Sequence, residues 1–494
     1  MTEETELQRR RWWVLAVASI GTFMVPLDAS IVAVALPAMG PPLQLSYTEA
    51  LWIQAAYLLV TSVLLIPAGR LADSLGLIRF YLLGTVVFGL ASAGAAFAPD
   101  GSLLIAARCV QGIGGALIFS TSAAVVTAVF PPHLRGRAFG LSMMATYVGL
   151  TLGPLVGGLI VTHASWRWIF LINAPIAIFT VVAGWGLMRA EGRVPHGMAL
   201  PRADFLGTGL LAATLVALFM PLTFSPFWGW TSTKTIGLLV LSMVFLVGFV
   251  VVEDRVRDAV FDLDLVRKNR VFAAANSAAF VNYLAIFGVT TLTAVFLEVA
   301  QGRSAQQAGL ILLAQPVVMA TLSPLTGRLS DRVGSRVPAS AGMAVVAAGV
   351  AQLALLPDTM GRVLVALGTV GLGMALFSAP NVSAVMGSVQ RSQLSVASGF
   401  LSMMRFAGQG VSIAVLGAIA ASQLGPEGGR MILLGEATGR ANASAFAGGY
   451  RAAMFVGAGL ALAGVLLSLR AAAPRRVTAV MPGPSPENAT LGKE

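Results

Sequence analysis

Gly69-Arg70-Leu71-Ala72-Asp73-Ser74-Leu75-Gly76 returns as Gly327-Arg328-Leu329-Ser330-Asp331-Arg332-Val333-Gly334, and each copy closes a long apolar run. A pattern as specific as G-R-L-x-D-x-x-G, found twice in one chain, indicates a duplicated architecture rather than two ordinary helix connectors. Each copy reads as a short polar turn between two membrane helices. Its glycines let backbones approach, its Asp can cap the start of the following helix, and its Arg can reach a phosphate or a neighbouring carboxylate.

Composition agrees with a membrane reading. Hydrophobic residues make up 57% of the chain and charged residues 11%, too little polar material to cover a water-soluble fold. Spanning a bilayer core takes about 20 apolar residues in a helix, and hydropathy predicts fourteen such spans between Trp13 and Arg470. The first follows Arg9-Arg10-Arg11. It is too long for a signal peptide and is expected to stay as an anchor. The single cysteine, Cys109, excludes an intrachain disulfide and any Cys-rich metal site.

A net charge of +11 would point to nucleic acid in a soluble protein, but here the basic residues are scattered through loops. Loops on one side carry most of them. The other side carries Arg167, Lys234, Arg303, Arg362, Arg430, Arg440 and Arg451. The positive-inside rule then places both termini in the cytoplasm. Arg outnumbers Lys 29 to 3, which favours a GC-rich bacterial source and hence the plasma membrane.

The repeat divides the chain. Gly69 lies 57 residues after Trp12 and Gly327 lies 56 after Val271, so two six-helix halves stand in register. The expectation is an N-terminal half over 1–188, a linker over 189–270 with two extra spans near 206–224 and 235–252, and a C-terminal half with its tail over 271–494. The inserted pair lacks membrane-depth charge, which favours lipid-facing packing over a place in the pore. The outer segment from Gln423 to Tyr450 is Gly-rich and could hold a short interfacial helix.

Further stretches carry a family resemblance. They are Leu27-Asp28-Ala29-Ser30-Ile31-Val32-Ala33-Val34-Ala35-Leu36-Pro37, then Leu104 to Ala116 with Arg108, Gln111, Gly112 and Gly114, then Gly149-Leu150-Thr151-Leu152-Gly153-Pro154-Leu155-Val156-Gly157-Gly158, and Trp166-Arg167-Trp168-Ile169-Phe170-Leu171-Ile172-Asn173-Ala174-Pro175. With the repeated octapeptide, they make the chain resemble the major facilitator superfamily, and specifically its fourteen-helix drug/proton antiporter branch, over nearly its whole length. The resemblance implies an all-α membrane protein of two six-helix halves plus two inserted helices. It assigns proton coupling to Asp28 and Arg108, gating to Gly69, Arg70, Asp73, Gly76, Gly327, Asp331 and Arg332, and the antiporter helix to Gly149, Gly153, Pro154, Gly157 and Gly158. The first octapeptide departs from the family pattern. Ser74, Leu77 and Ile78 stand where basic residues are usual, with Arg79 at a shifted position, whereas the second copy keeps Arg332 and Arg336.

The residues support a parallel physical reading. A carboxylate in lipid is costly, so Asp28 should face the bundle interior, where burial disfavours its charged form. Arg108 enters about seven residues from the outer end of its helix and Asp28 about nine from the outer end of its own. At roughly 1.5 Å per residue their depths coincide. Arg108 can then favour the ionised acid, directly or through water, or else serve helix carbonyls. The small residues and Pro154 of the 149–158 run suit close packing and a bend, whether as a hinge or as plain helix contact. Glu298 reads as a vestibule residue or a second acid. Arg405 reads as a partner of carbonyls, of water or of a substrate anion. Gln54, Tyr57, Asn276, Asn282, Gln315, Asn381 and Gln409 are candidates to line a cavity or to bond between helices.

The function expected is a proton-coupled antiporter exporting hydrophobic, cationic small molecules by alternating access, in which cargo and protons contend for ionised Asp28. The alternative is an exporter of a lipid, siderophore or other neutral or zwitterionic metabolite. His133, His163 and His196 fall at loops, no metal-ligand spacing or nucleophile–base pair occurs, and no phosphate-cradling loop appears. Enzyme, metal, cofactor and ATP-driven readings are therefore set aside. The partners expected are a small-molecule substrate, protons and the lipid bilayer, with no nucleic acid and a monomeric state.

Overall fold

Lipid offers no water to satisfy backbone amides, so an apolar run of this length closes its hydrogen bonds internally as a helix. The computed structural model describes residues 6–45, 47–191, 204–229, 231–256, 261, 263–355, 359–421 and 440–471. Among them no strand occurs, and fourteen long helices follow one another. They are α1 Arg11–Leu43, α2 Tyr47–Leu75, α3 Leu77–Ala96, α4 Gly101–Val129, α5 Arg135–His163, α6 Asn173–Ala190, α7 Phe205–Trp228, α8 Thr233–Glu253, α9 Arg270–Val295, α10 Ala314–Val333, α11 Arg336–Ala354, α12 Met360–Gly387, α13 Leu394–Ala421 and α14 Arg440–Arg470. Among the described residues, thirteen helical stretches are long and apolar enough to cross a membrane, and a shorter apolar run, Leu206–Leu222 within α7, stands where the remaining span is expected. Most of the 189–202 linker and most of the 423–450 segment lie outside the described residues.

Local chemistry sets several helix starts. Asp100 caps α4 by accepting from the Leu103 amide, Ser232 caps α8 at Thr235, Asn269 caps α9 at Phe272 and Thr359 caps α12 at Arg362. The octapeptides prove to be helix rather than turn. They form the last turns of α2 and α10, and only their final glycines leave the helix, Gly76 at φ 107° and Gly334 at φ 83°. That backbone region is open to glycine and strained for other residues, which fixes where each chain reversal occurs.

The outer surface is a belt of exposed apolar side chains such as Leu90, Val182, Val240 and Leu462. Inside, α1 packs on α5, α4 between α2 and α3, and α6 on α3. Among the last six long helices α9 packs on α13, and α11 on α12 and α14. The two sets meet where α5 lies along α10, and α2 and α4 along α13. Sequence favours lipid-facing packing for the inserted hairpin, and the two helices differ in this respect. The outer face of α8 is exposed at Val240, Val244 and Val247, whereas α7 touches both α2 and α13 and so covers the seam between the two sets. Aromatic bulk draws it there. Phe219 fills the space beside Gly410, and the Phe224 ring lies 6.1 Å from that of Trp52.

Candidate functional site

Two constructions stand out, one buried inside the first six helices and one half-buried at the octapeptide end. The first is centred on Asp28, which is 1% exposed midway along α1. Arg108 on α4 donates from Nη1 to Asp28 Oδ2 at 2.6 Å, and both side chains are sealed from solvent. The other carboxylate oxygen, Oδ1, accepts from Gln111 Nε2 at 2.9 Å and from Asn173 Nδ2 at 2.7 Å. Ser92 Oγ on α3 accepts from Asn173 Nδ2 and Gln111 Nε2. Arg108 is held in turn by the Ile53 carbonyl at 3.0 Å, by Gln111 Oε1 at 2.7 Å, and by the Tyr57 ring, whose centroid lies 4.4 Å from its Cζ. Each charge is thus compensated by its partner and by further hydrogen bonds, the condition under which a buried ion pair is tolerable.

Small residues let these helices close on the acid. Gly149, Gly153 and Gly157, spaced by one turn on α5, face α1. A Cβ at Gly149 would strike the Phe23 carbonyl, one at Gly153 would strike Ser30 Oγ, and one at Gly157 would touch Ile31. These contacts lie either side of Asp28. Gly158 faces open space instead, so the glycine face comprises three of the four glycines in the 149–158 stretch.

The second construction joins the two sets of helices. The Asp73 carboxylate accepts from the Ser395 amide at 2.9 Å and the Val396 amide at 3.2 Å, in the first turn of α13. The Asp331 carboxylate accepts from Gly136 at 2.6 Å and Arg137 at 2.8 Å, in the first turn of α5. Each aspartate therefore caps a helix of the opposite half rather than the following helix that sequence proximity favours. A helix N-terminus offers free amides and the positive end of its dipole, so the pairing is favourable on both counts. The leading glycines make room. A Cβ at Gly69 would strike the Ser395 carbonyl, and Gly327 meets the Gly136 carbonyl. Arg70 is half-buried and Arg332 exposed.

Glu191, which carries no motif signal, completes this end. It follows α6 directly and accepts from the amides of Ile78 at 3.0 Å and Arg79 at 3.3 Å, capping α3 beside Gly76. Burial pushes its carboxyl above the ordinary range, against the Ile78, Arg79 and Leu77 amides and the Arg79 charge. A carboxyl raised in the folded state adds stability that is full below about pH 4.3 and is lost as pH rises through the folded value. The melting temperature of the parent is therefore expected to fall relative to Glu191→Gln between pH 4.5 and 7. Parallel profiles would show that Glu191 is as easily ionised folded as unfolded.

The remaining sequence candidates scatter. Tyr57 joins the Asp28 network through Arg108. Asn282 reaches Met374 Sδ at 3.1 Å and Gln315 meets Thr290 at 3.3 Å, both bridging helices, while Asn276 bonds its own helix at Phe272. Gln54 and Gln409 are half-buried. Glu298 is exposed on a π-turn, Phe296–Ala300, and joins neither construction. Arg405 lies over the Tyr283 ring with its Cζ 5.7 Å from the centroid, and Asn381 is buried one turn beyond Ser378. Sequence reading gave no role to Ser92, Asn173, Glu191, Tyr147 or Tyr283. Asn173 and Gln111 stand within the quoted motifs, which is the one signal that could have found them.

Comparison with known proteins places this architecture. A model of the Major Facilitator Superfamily matches residues 18–252 and 275–490. The multidrug resistance protein Stp of Mycobacterium tuberculosis is 33% identical over 420 residues, 85% of this chain and 77% of that protein. The tetracenomycin C resistance and export protein of Streptomyces glaucescens is 29% identical over 429 residues, 86% of this chain and 78% of that one. In fold, the human organic anion transporter MFSD10 (TETRAN) superposes with a TM-score of 0.65 at 14% identity, covering 93% of this chain and 99% of its own. At that identity the likeness is one of fold alone. A family model matched along both halves, a third of the residues shared with Stp and the same helical architecture lead to one conclusion: this chain belongs to the major facilitator superfamily and is a multi-pass membrane transporter, not an enzyme.

Proposed function

We propose that the protein is a proton-driven antiporter that exports hydrophobic small molecules from a bacterial cell across the plasma membrane, with both termini and the octapeptide end in the cytoplasm. The observation that carries this reading is Asp28, sealed within the bundle and held by Arg108, Gln111 and Asn173. Protonation would remove the charge that balances Arg108 and so weaken the tie between α1 and α4. The aspartate caps at α13 and α5 then act as a latch that closes the cytoplasmic end.

Coupling follows if protonation of Asp28 and loading of cargo favour opposite states of the latch. By linkage each then weakens the binding of the other, with no need for a shared contact. The relatives named for multidrug resistance and for tetracenomycin C export support an export direction. The test is efflux from proteoliposomes with an imposed pH gradient. Export should be driven by the gradient and collapse with a protonophore, and gradient-independent export would contradict the coupling.

A further inference from the structure

We propose that Arg405 is the anion-binding group of the cargo site, and that the transporter favours aromatic molecules carrying an ionised acidic group such as a carboxylate or phenolate. The inference rests on the export reading above but not on proton coupling, and it replaces the cationic cargo expected from sequence.

Arg405 lies eleven residues into α13, so about 17 Å along that helix, near the middle of a bilayer core of about 30 Å. A guanidinium stays charged at such depth and calls for acceptors. Its Nε is buried without a hydrogen-bond partner, and no carboxylate among the described residues forms an ion pair with it. Its guanidinium lies instead against the face of Tyr283 on α9. Arg108, also at membrane depth, is neutralised by Asp28, so the two behave oppositely.

Arg405 is partly exposed, and groups from both halves gather beside its Tyr283 partner. Tyr147 on α5 donates its hydroxyl to Ser378 Oγ on α12 at 2.7 Å, crossing between the halves, and Tyr283 packs against the same apolar cluster as Tyr147. One turn beyond Ser378, the buried amide of Asn381 leaves Nδ2 without a partner. Next to Arg405 in sequence, the Phe406 ring stands edge-on to Phe119 on α4 at 5.6 Å. Donors without acceptors, set among aromatic rings, match an aromatic anion. Of the acids singled out by sequence, none offers a cation a comparable seat: Asp28 is committed to Arg108, Asp73 and Asp331 to helix amides, and Glu298 is exposed.

Fluorescein and rhodamine 123 share one ring system and differ in the sign of their charge. Binding of each to the full-length chain in nanodiscs, read by fluorescence anisotropy at pH 7.5, tests the proposal. The parent should bind fluorescein about tenfold more tightly than rhodamine 123, a ratio that Arg405→Gln should abolish by weakening fluorescein alone. If Arg405→Gln does not fold, Arg405→Lys carries the test. Keeping the charge without the planar fork should weaken fluorescein severalfold and leave rhodamine 123 unchanged. A parent that prefers rhodamine 123, that shows no fluorescein binding, or whose fluorescein affinity survives the folded Arg405 variant overturns the inference. Binding is read without a pH gradient, so failure here leaves coupling through Asp28 intact, and failure of coupled efflux leaves this intact.

Discussion

Asp28→Asn is expected to abolish pH-gradient-driven efflux, leaving proteoliposomes no more active than protein-free vesicles. The amide fills nearly the same volume as the carboxyl but neither binds nor releases a proton in the working range. It also leaves Arg108 as a buried charge with no anion to balance it, held by neutral acceptors such as Gln111 and the Ile53 carbonyl and by the Tyr57 ring. Removing one partner of a buried pair costs about 3–5 kcal/mol, so a lowered melting temperature should accompany the loss of transport. The double variant Asp28→Asn with Arg108→Gln separates the two effects. With both charges gone, most of the lost stability should return while gradient-driven efflux stays absent. Recovery of coupled efflux in the double variant would show that proton coupling resides elsewhere.

The second large effect is expected at the latch. Asp73 and Asp331 each accept hydrogen bonds from two backbone amides of a helix in the opposite half. Hydrogen bonds to a charged group contribute about 1.5–3 kcal/mol each, less where solvent reaches them as at these half-buried carboxylates. Replacing both with Asn removes charge from two helix N-termini and should shift the balance between closed and open ends by at least about tenfold, since 1.4 kcal/mol already does so. Spin labels at Ser74 and Arg391, in a chain whose Cys109 is replaced, would report this as a shift from short to long distances between α2 and the loop before α13. An unchanged distance distribution would mean that the glycine contacts at Gly69 and Gly327, not the aspartates, hold this end shut.

These two sites differ in how far they can be read from the chain. The octapeptides announce themselves by repetition, and the depth of Asp28 matches that of Arg108 because counting residues along a helix measures distance along the membrane normal. Counting says nothing about rotation. Whether Asn173 turns toward Asp28 depends on how α6 is rolled against α1 and α3, which is set by packing such as Gly184 against Leu82. The same holds for the caps. Sequence neighbours suggest that Asp73 serves α3, but Glu191 already occupies the α3 amides, and Asp73 reaches a helix more than 300 residues onward. The inserted pair misleads for a related reason. Both helices are uniformly apolar, so nothing in their composition tells lipid from a protein seam, and only the partners of Phe219 and Phe224 distinguish α7 from α8.

Coupling requires that Asp28 give up a proton when cargo loads. Proton release can be read directly, with a pH-sensitive dye in weakly buffered solution, as a non-titrating ligand that raises the melting temperature is added to the purified transporter. Across a series of pH values the parent should reach a release close to one proton per bound ligand, and Asp28→Asn should release none while still binding. Equal release from both proteins, or none from the parent at any pH, would contradict the assignment of coupling to Asp28.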